Sequence, residues 1–60
     1  MQEFVGKKVK VVFQDGDDSK AVFGIIQSFD GSFVYIIDDK GRMQNIGLKF
    51  IIRIKEVFNE

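Results

Sequence analysis

Lysine and arginine recur in three pairs whose spacing sets two cations side by side. Lys8 and Lys10 lie two residues apart, as do Arg53 and Lys55. In an extended strand, side chains two apart point to the same face. Lys40 and Arg42 flank Gly41 in a segment rich in turn formers. Paired cations of this kind are chemistry for phosphate. Each neutralised phosphate releases condensed counterions, and weak contacts add up when a protein presents them repeatedly. The competing role is solubility, because lysines on strand faces guard a small sheet against edge-to-edge aggregation.

The carboxylates promise less. Asp15, Asp17 and Ser19 have the opening spacing of a calcium loop, but Lys20 stands where such a loop needs Gly, and Ile26 stands where it needs a bidentate acid. The segment therefore reads as a turn, and no metal site is expected. Asp30, Asp38 and Asp39 offer a carboxylate pair only in turn-like surroundings, where Asp serves the backbone. With neither His nor Cys in the chain, there is no imidazole base, no thiolate nucleophile and no disulfide, and zinc lacks its usual ligands. Asp, Glu, Lys and Tyr35 remain as acid–base groups. These residues point to a protein that binds rather than catalyses, with no cofactor and no small-molecule substrate.

The elements that must position the cations are short and β-prone. Sixty residues allow one domain, and all of 1–60 is assigned to it. Six glycines punctuate runs of Val, Ile and Phe, the pattern of an all-β sandwich or barrel, and a sandwich is too large for this length. Gln2 to Val5 is expected to make one helical turn ended by Gly6. Strand one, Lys8 to Gln14, puts Val9, Val11 and Phe13 on one face and Lys8, Lys10 and Gln14 on the other. A turn over Asp15 to Ser19 leads into strand two, Lys20 to Phe29. Within it, Gly24 marks a bulge or sharp bend. Asp30-Gly31 is a strong hairpin signal. Strand three, Ser32 to Asp38, is apolar on both faces, as a strand that is central or packed on both sides would be. A hairpin at Asp39-Lys40-Gly41 precedes strand four, Arg42 to Ile46, and Leu48 to Phe50 forms a tight helical turn. The final segment, Ile51 to Phe58, also fits a helical stripe, but its β-branched density favours a fifth strand.

Seven Phe and one Tyr exceed the needs of so small a core. Phe4, Phe50 and Phe58 lie at or beyond element ends, where they would be exposed and form subunit contacts or else plug the barrel's ends. A chain this short buries only roughly 60% of its unfolded surface, so self-association is the available reinforcement. Pairing of edge strands four and five between neighbours would make Met43, Asn45, Phe50, Ile52, Ile54 and Phe58 the oligomer interface.

From Gly6 to Val57 the pattern resembles the Sm and Sm-like proteins. The segment Gly24 to Asp39 is similar to their first motif: Gly in strand two, Phe29-Asp30 at the hairpin, then an apolar strand ending in acids. Ile52-Arg53 is similar to the Ile-Arg pair of the second motif. The resemblance implies an all-β fold, a small, strongly bent five-stranded barrel of Sm-like or Src-homology-3-like form with a short N-terminal helical turn. It also implies assembly into homo-oligomeric rings and binding of RNA. Asp30 and Arg53 stand at matching nucleotide-binding positions. Val34 and Ser32 depart from the family's base-contacting Asn and stacking residue, and Ile54 replaces the Gly after Ile-Arg.

Nine basic and nine acidic residues cancel, so any attraction for nucleic acid must be local. Asp15 to Asp39 carries six Asp against one Lys, while the flanks carry eight basic residues against three acidic, which permits a two-poled surface. No apolar run approaches the ~20 residues of a membrane span, and no membrane partner is expected. A soluble, cytoplasmic protein is. The expected function is an oligomeric Sm-like binding or scaffolding protein whose RNA binding, if any, is weak or non-standard because the base-contacting positions are altered, with Asp30, Lys40, Arg42, Arg53 and Lys55 as the candidate contacts. The alternative is a module that captures a peptide by strand addition, without nucleic acid.

Overall fold

In the computed structural model, residues 1–58 are described. They form a 3-10 turn (η1, Gln2–Phe4), β1 (Lys8–Asp15), β2 (Asp18–Phe29), β3 (Phe33–Asp38), β4 (Met43–Gly47), a second 3-10 turn (η2, Leu48–Phe50) and β5 (Ile51–Glu56). The five strands make one antiparallel sheet in the order β4-β3-β2-β1-β5. Every described element lies within two residues of its expected bounds, and the final segment is a strand.

The alternation of β1 defines the inside. Val9 and Val11 are fully buried and join Ile26 of β2, Val34 and Ile36 of β3, and Ile46 of β4 in the core. These small side chains stack closely where a sheet curls on itself, and burial of each contributes roughly 1.5–3 kcal/mol. Phe13, Phe29, Leu48, Ile51 and Ile54 pack at the margins. Phe4 does too, so it is a core-margin residue rather than an exposed one; the short N-terminal turn folds it back. Val5 bridges to Ile26, and Gly6, at φ 83°, donates to the Ile26 carbonyl.

Curling depends on β2, the longest strand at 12 residues, which pairs with β1 along one half and β3 along the other. Gly24 is in register with Val9 on one side and Asp38 on the other, so the strand serves both neighbours at this residue, as expected, without a bulge there. The extra residue is Gln27, between the pairs Ile26–Ile36 and Ser28–Tyr35. Gly24 instead permits close approach. A methyl group there would overlap the Ile37 carbonyl oxygen and lie 2.8 Å from Ile36 Cγ2. A second bulge sits in β5, where Ile52 has no partner between Arg53–Val12 and Ile51–Phe13.

One turn is tighter than expected, and the two later hairpins form where expected. The Asp15–Ser19 turn contracts to Gly16-Asp17, with Asp15 paired to Asp18 and Gly16 at φ 64°. A positive φ at the first central residue is the II′ arrangement, whose twist matches the flanking strands. Asp30-Gly31 opens the expected β2–β3 hairpin, in which Phe29 pairs with Val34, the Asp30 N–H donates to the Phe33 carbonyl at 3.0 Å and Gly31 keeps negative φ. Asp39-Lys40-Gly41 closes the expected β3–β4 hairpin between Asp38 and Arg42, with Gly41 at φ 80°. β3 is central, between β2 and β4, as one of its two expected readings had it, but it is not packed on both sides. Val34 and Ile36 are buried, but the opposite face carries Phe33 at 43% exposure beside half-buried Tyr35 and Ile37, because no described element covers it.

Candidate binding surfaces

The β2–β3 loop is built on one carboxylate. Asp30 Oδ1 accepts the backbone N–H groups of Ser32 and Phe33, each at 2.8 Å, and Oδ2 accepts the Tyr35 hydroxyl at 2.8 Å. The two amides and then the phenol hold the Asp30 carboxyl below its ordinary range, and the same bond raises the Tyr35 phenol above 10.0. Both oxygens of Asp30 are therefore engaged in shaping the loop, and in this geometry Asp30 is a scaffold for the site.

That loop meets the β4–β5 junction. The Leu48 N–H donates to the Ser32 carbonyl at 2.9 Å. Between them lies a cleft of about 350 Å³ lined by Gly31, Ser32, Phe33, Gly47, Leu48, Lys49 and Phe50. Phe33 and Phe50 are 43% and 49% exposed. Lys49 Nζ stands 5.3 Å from the Phe50 ring centroid, within cation–π range. Gly47 leaves room for that ring, since a methyl group there would come within 3.0 Å of it. Phe33 and Lys49 were not singled out in the sequence. The signal for Phe33 was present, because β3's alternation sends it to the face opposite Val34.

The five expected nucleic-acid residues do not converge. Asp30 lies under the cleft just described. Lys40 and Arg42 sit in the Asp38 turn, where Asp38 accepts both of their backbone N–H groups, at 2.9 and 2.8 Å, and the Gln44 amide at 2.9 Å. The Arg42 guanidinium lies 3.4 Å from Asp38. The Gln44 amide foremost, then the Arg42 N–H, lower the Asp38 carboxyl to about 2. Arg53, the third residue of β5, does not line that cleft. It pairs with Val12, while Lys55 pairs with Lys10. Register thus unites the two strand pairs of cations, Lys8 and Lys10 with Arg53 and Lys55, on the outer face of β1 and β5.

The expected interface residues divide in the same way. Met43 and Asn45 lie on edge strand β4, and both are exposed. Ile52, the bulge residue of edge strand β5, is 57% exposed, and Phe58 beyond it 76%. Ile54 faces inward opposite Val11 and packs at the margin of the core. Phe50 serves the cleft and also borders a wider groove of about 630 Å³ between β4 and the β1–β2 hairpin, which Phe13, Ala21 and Ile46 help to line.

No family model, curated protein or solved structure matches the chain. No helix among the described residues is long and apolar enough to cross a membrane.

Proposed function

We propose that this chain is a homo-oligomeric, Sm-like binding protein that holds single-stranded RNA in the cleft between the β2–β3 loop and η2. The observation that carries the reading is the meeting of Phe33 and Phe50, two exposed rings, with the Lys49 ammonium beside them. A base stacked on an aromatic ring contributes about 1–3 kcal/mol, and a nearby cation suits the adjoining phosphate. Ser32, at the family's stacking position, offers no plane; Phe33, the next residue, does. The similarity of Gly24–Asp39 to the first Sm motif supports the same reading.

Assembly is favoured by the sheet's two ends. β4 and β5 each have one neighbour only, and pairing β4 of one copy with β5 of the next repeats head to tail until a ring closes. Each cleft would then recur around the ring.

Native mass spectrometry with and without a short mixed-sequence RNA at low salt tests both parts. A closed oligomer that retains RNA is expected, with retention lost in Lys49→Ala/Phe50→Ala while the oligomer persists. Ile52→Lys is expected to give monomers. A wild-type monomer at high micromolar concentration would remove the ring, and unchanged retention in the double variant would remove the cleft.

The groove beside β4 supports a second reading, capture of an extended peptide by strand addition to that edge. Salt separates the two, since phosphate-driven binding weakens steeply with added salt and strand addition does not.

A further inference from the structure

The outer face of the sheet is divided between cations and exposed apolar side chains. Cross-strand register lays out its rows. Lys55, Lys10 and Phe23 form one row across β5, β1 and β2. Lys8, Ile25, Ile37 and Met43 form the next, across β1, β2, β3 and β4. Arg53 and Val12 lie beside them. Phe23 and Ile25 are each 43% exposed and Met43 54%. Lys8 is 3.8 Å from Asp39. Lys10, Arg53 and Lys55 have no carboxylate within ion-pair distance among the described residues.

We infer that this face is a docking surface for an acidic amphipathic helix of a protein partner. The face is apolar at its β2–β3–β4 side and cationic at its β1–β5 side, so a complementary element must bring apolar side chains and carboxylates together. A sheet face left bare by its own chain is commonly covered by a helix. Lys10 and Phe23, like Lys8 and Ile25, lie opposite each other on adjacent strands about 4.8 Å apart. A helix of about 13 residues, about 20 Å long, laid along the β1–β2 seam therefore meets cations and apolar side chains together. Carboxylates in the first turn of such a helix also complement its dipole.

Two other polyanions fit less well. Bases need open aromatic planes, but Lys10 Nζ lies over the Phe23 ring at 5.7 Å, and Ile25, Ile37 and Met43 are aliphatic. A flat anionic bilayer would also approach the exposed Asp39 beside Lys8 and the exposed Asp17 and Asp18 at the β1–β2 tip. A narrow helix avoids both.

The inference is independent of the RNA cleft, which lies at the loop end and uses different side chains. The probe is a fluorescent synthetic peptide of about 13 residues, with Glu and Asp in its first turn and a Leu stripe along one side. Anisotropy titrations of the full chain are expected to show saturable binding. The affinity should fall about tenfold or more in Lys10→Glu/Lys55→Glu and again in Ile25→Ser, with circular dichroism confirming that each variant is folded. Lys49→Ala/Phe50→Ala should bind the peptide as the parent does, whatever its effect on RNA. A peptide with Lys in place of its acids should not bind. Absence of saturation up to about 1 mM, or equal affinity in the folded face variants, would overturn the inference. So would retention by phosphatidylserine vesicles or oligouridine through the same residues when the peptide fails.

Discussion

Tyr35 donates its hydroxyl to Asp30 at 2.8 Å, five residues back along the chain, and so ties β3 to the loop that precedes it. Because Asp30 also accepts the Ser32 and Phe33 amides, one carboxylate sets the path of the backbone that presents Phe33.

The bond should be visible as a phenol titration. Tyr35 is the only tyrosine, so ultraviolet absorbance reports it alone. Its ionisation should fall above the ordinary 10.0 in the native protein, since the acceptor Asp30 stabilises the protonated phenol. In Asp30→Asn it should move back down. Equal midpoints in the two proteins would show that the bond does not form.

Acid should weaken the fold through Asp38. Its carboxyl is lowered from 3.8 to about 2 by the Gln44 amide and the Arg42 and Lys40 N–H groups, so between those values the unfolded chain binds more protons than the native one. Stability from this group is present above about 4 and is lost as pH falls towards 2. Urea midpoints should decline over that window in the parent. Asp38→Asn should be less stable at pH 7 and should show a smaller decline. A parallel decline in both would assign the acid sensitivity elsewhere.

Gly24 and Gly31 should answer very differently to the same substitution. Gly24→Ala drives a methyl group into β3 backbone, and overpacking of that kind costs about 1–3 kcal/mol or more. In so small a domain this should leave much of the chain unfolded by circular dichroism at room temperature. Gly31→Ala meets nothing within 4 Å and has no positive φ to strain, so its urea midpoint should stay within the equivalent of about 0.5 kcal/mol. A folded Gly24→Ala of parental stability would show that β2 and β3 can move apart there.

The strands were legible because burial follows a period of two. Val9 and Val11 are buried and Val34 and Ile36 are buried, as alternation requires. The site was less legible because it depends on register, which sequence spacing does not reveal. Lys10 meets Lys55 and Phe23 only because β1 lies between β5 and β2. Arg53 looked like a partner for Asp30 by motif, yet η2 intervenes and brings Lys49 and Phe50 to the loop instead. The II′ turn at Gly16-Asp17 was hidden in a run of five acidic and small residues, Asp15 to Ser19, any of which suits a turn. The bulge at Gln27 has no compositional mark, since its side chain is exposed and bonds only to the Ile25 carbonyl.

The strand order also sets a timetable for folding. β1 to β4 are joined in a meander, each pairing with the strand next in sequence, so three ladders close across short loops. β5 is the exception, because Arg53 must find Val12 from 41 residues away (53 − 12). Loop-closure entropy penalises that contact most, so β5 is expected to dock last and leave first. In the interval the β1 edge lies bare, open to the β5 of any neighbour, and two chains folding close together can exchange that strand before either is complete. The geometry that lets the sheet end in a lone returning strand thus makes the protein's concentration during synthesis part of its folding.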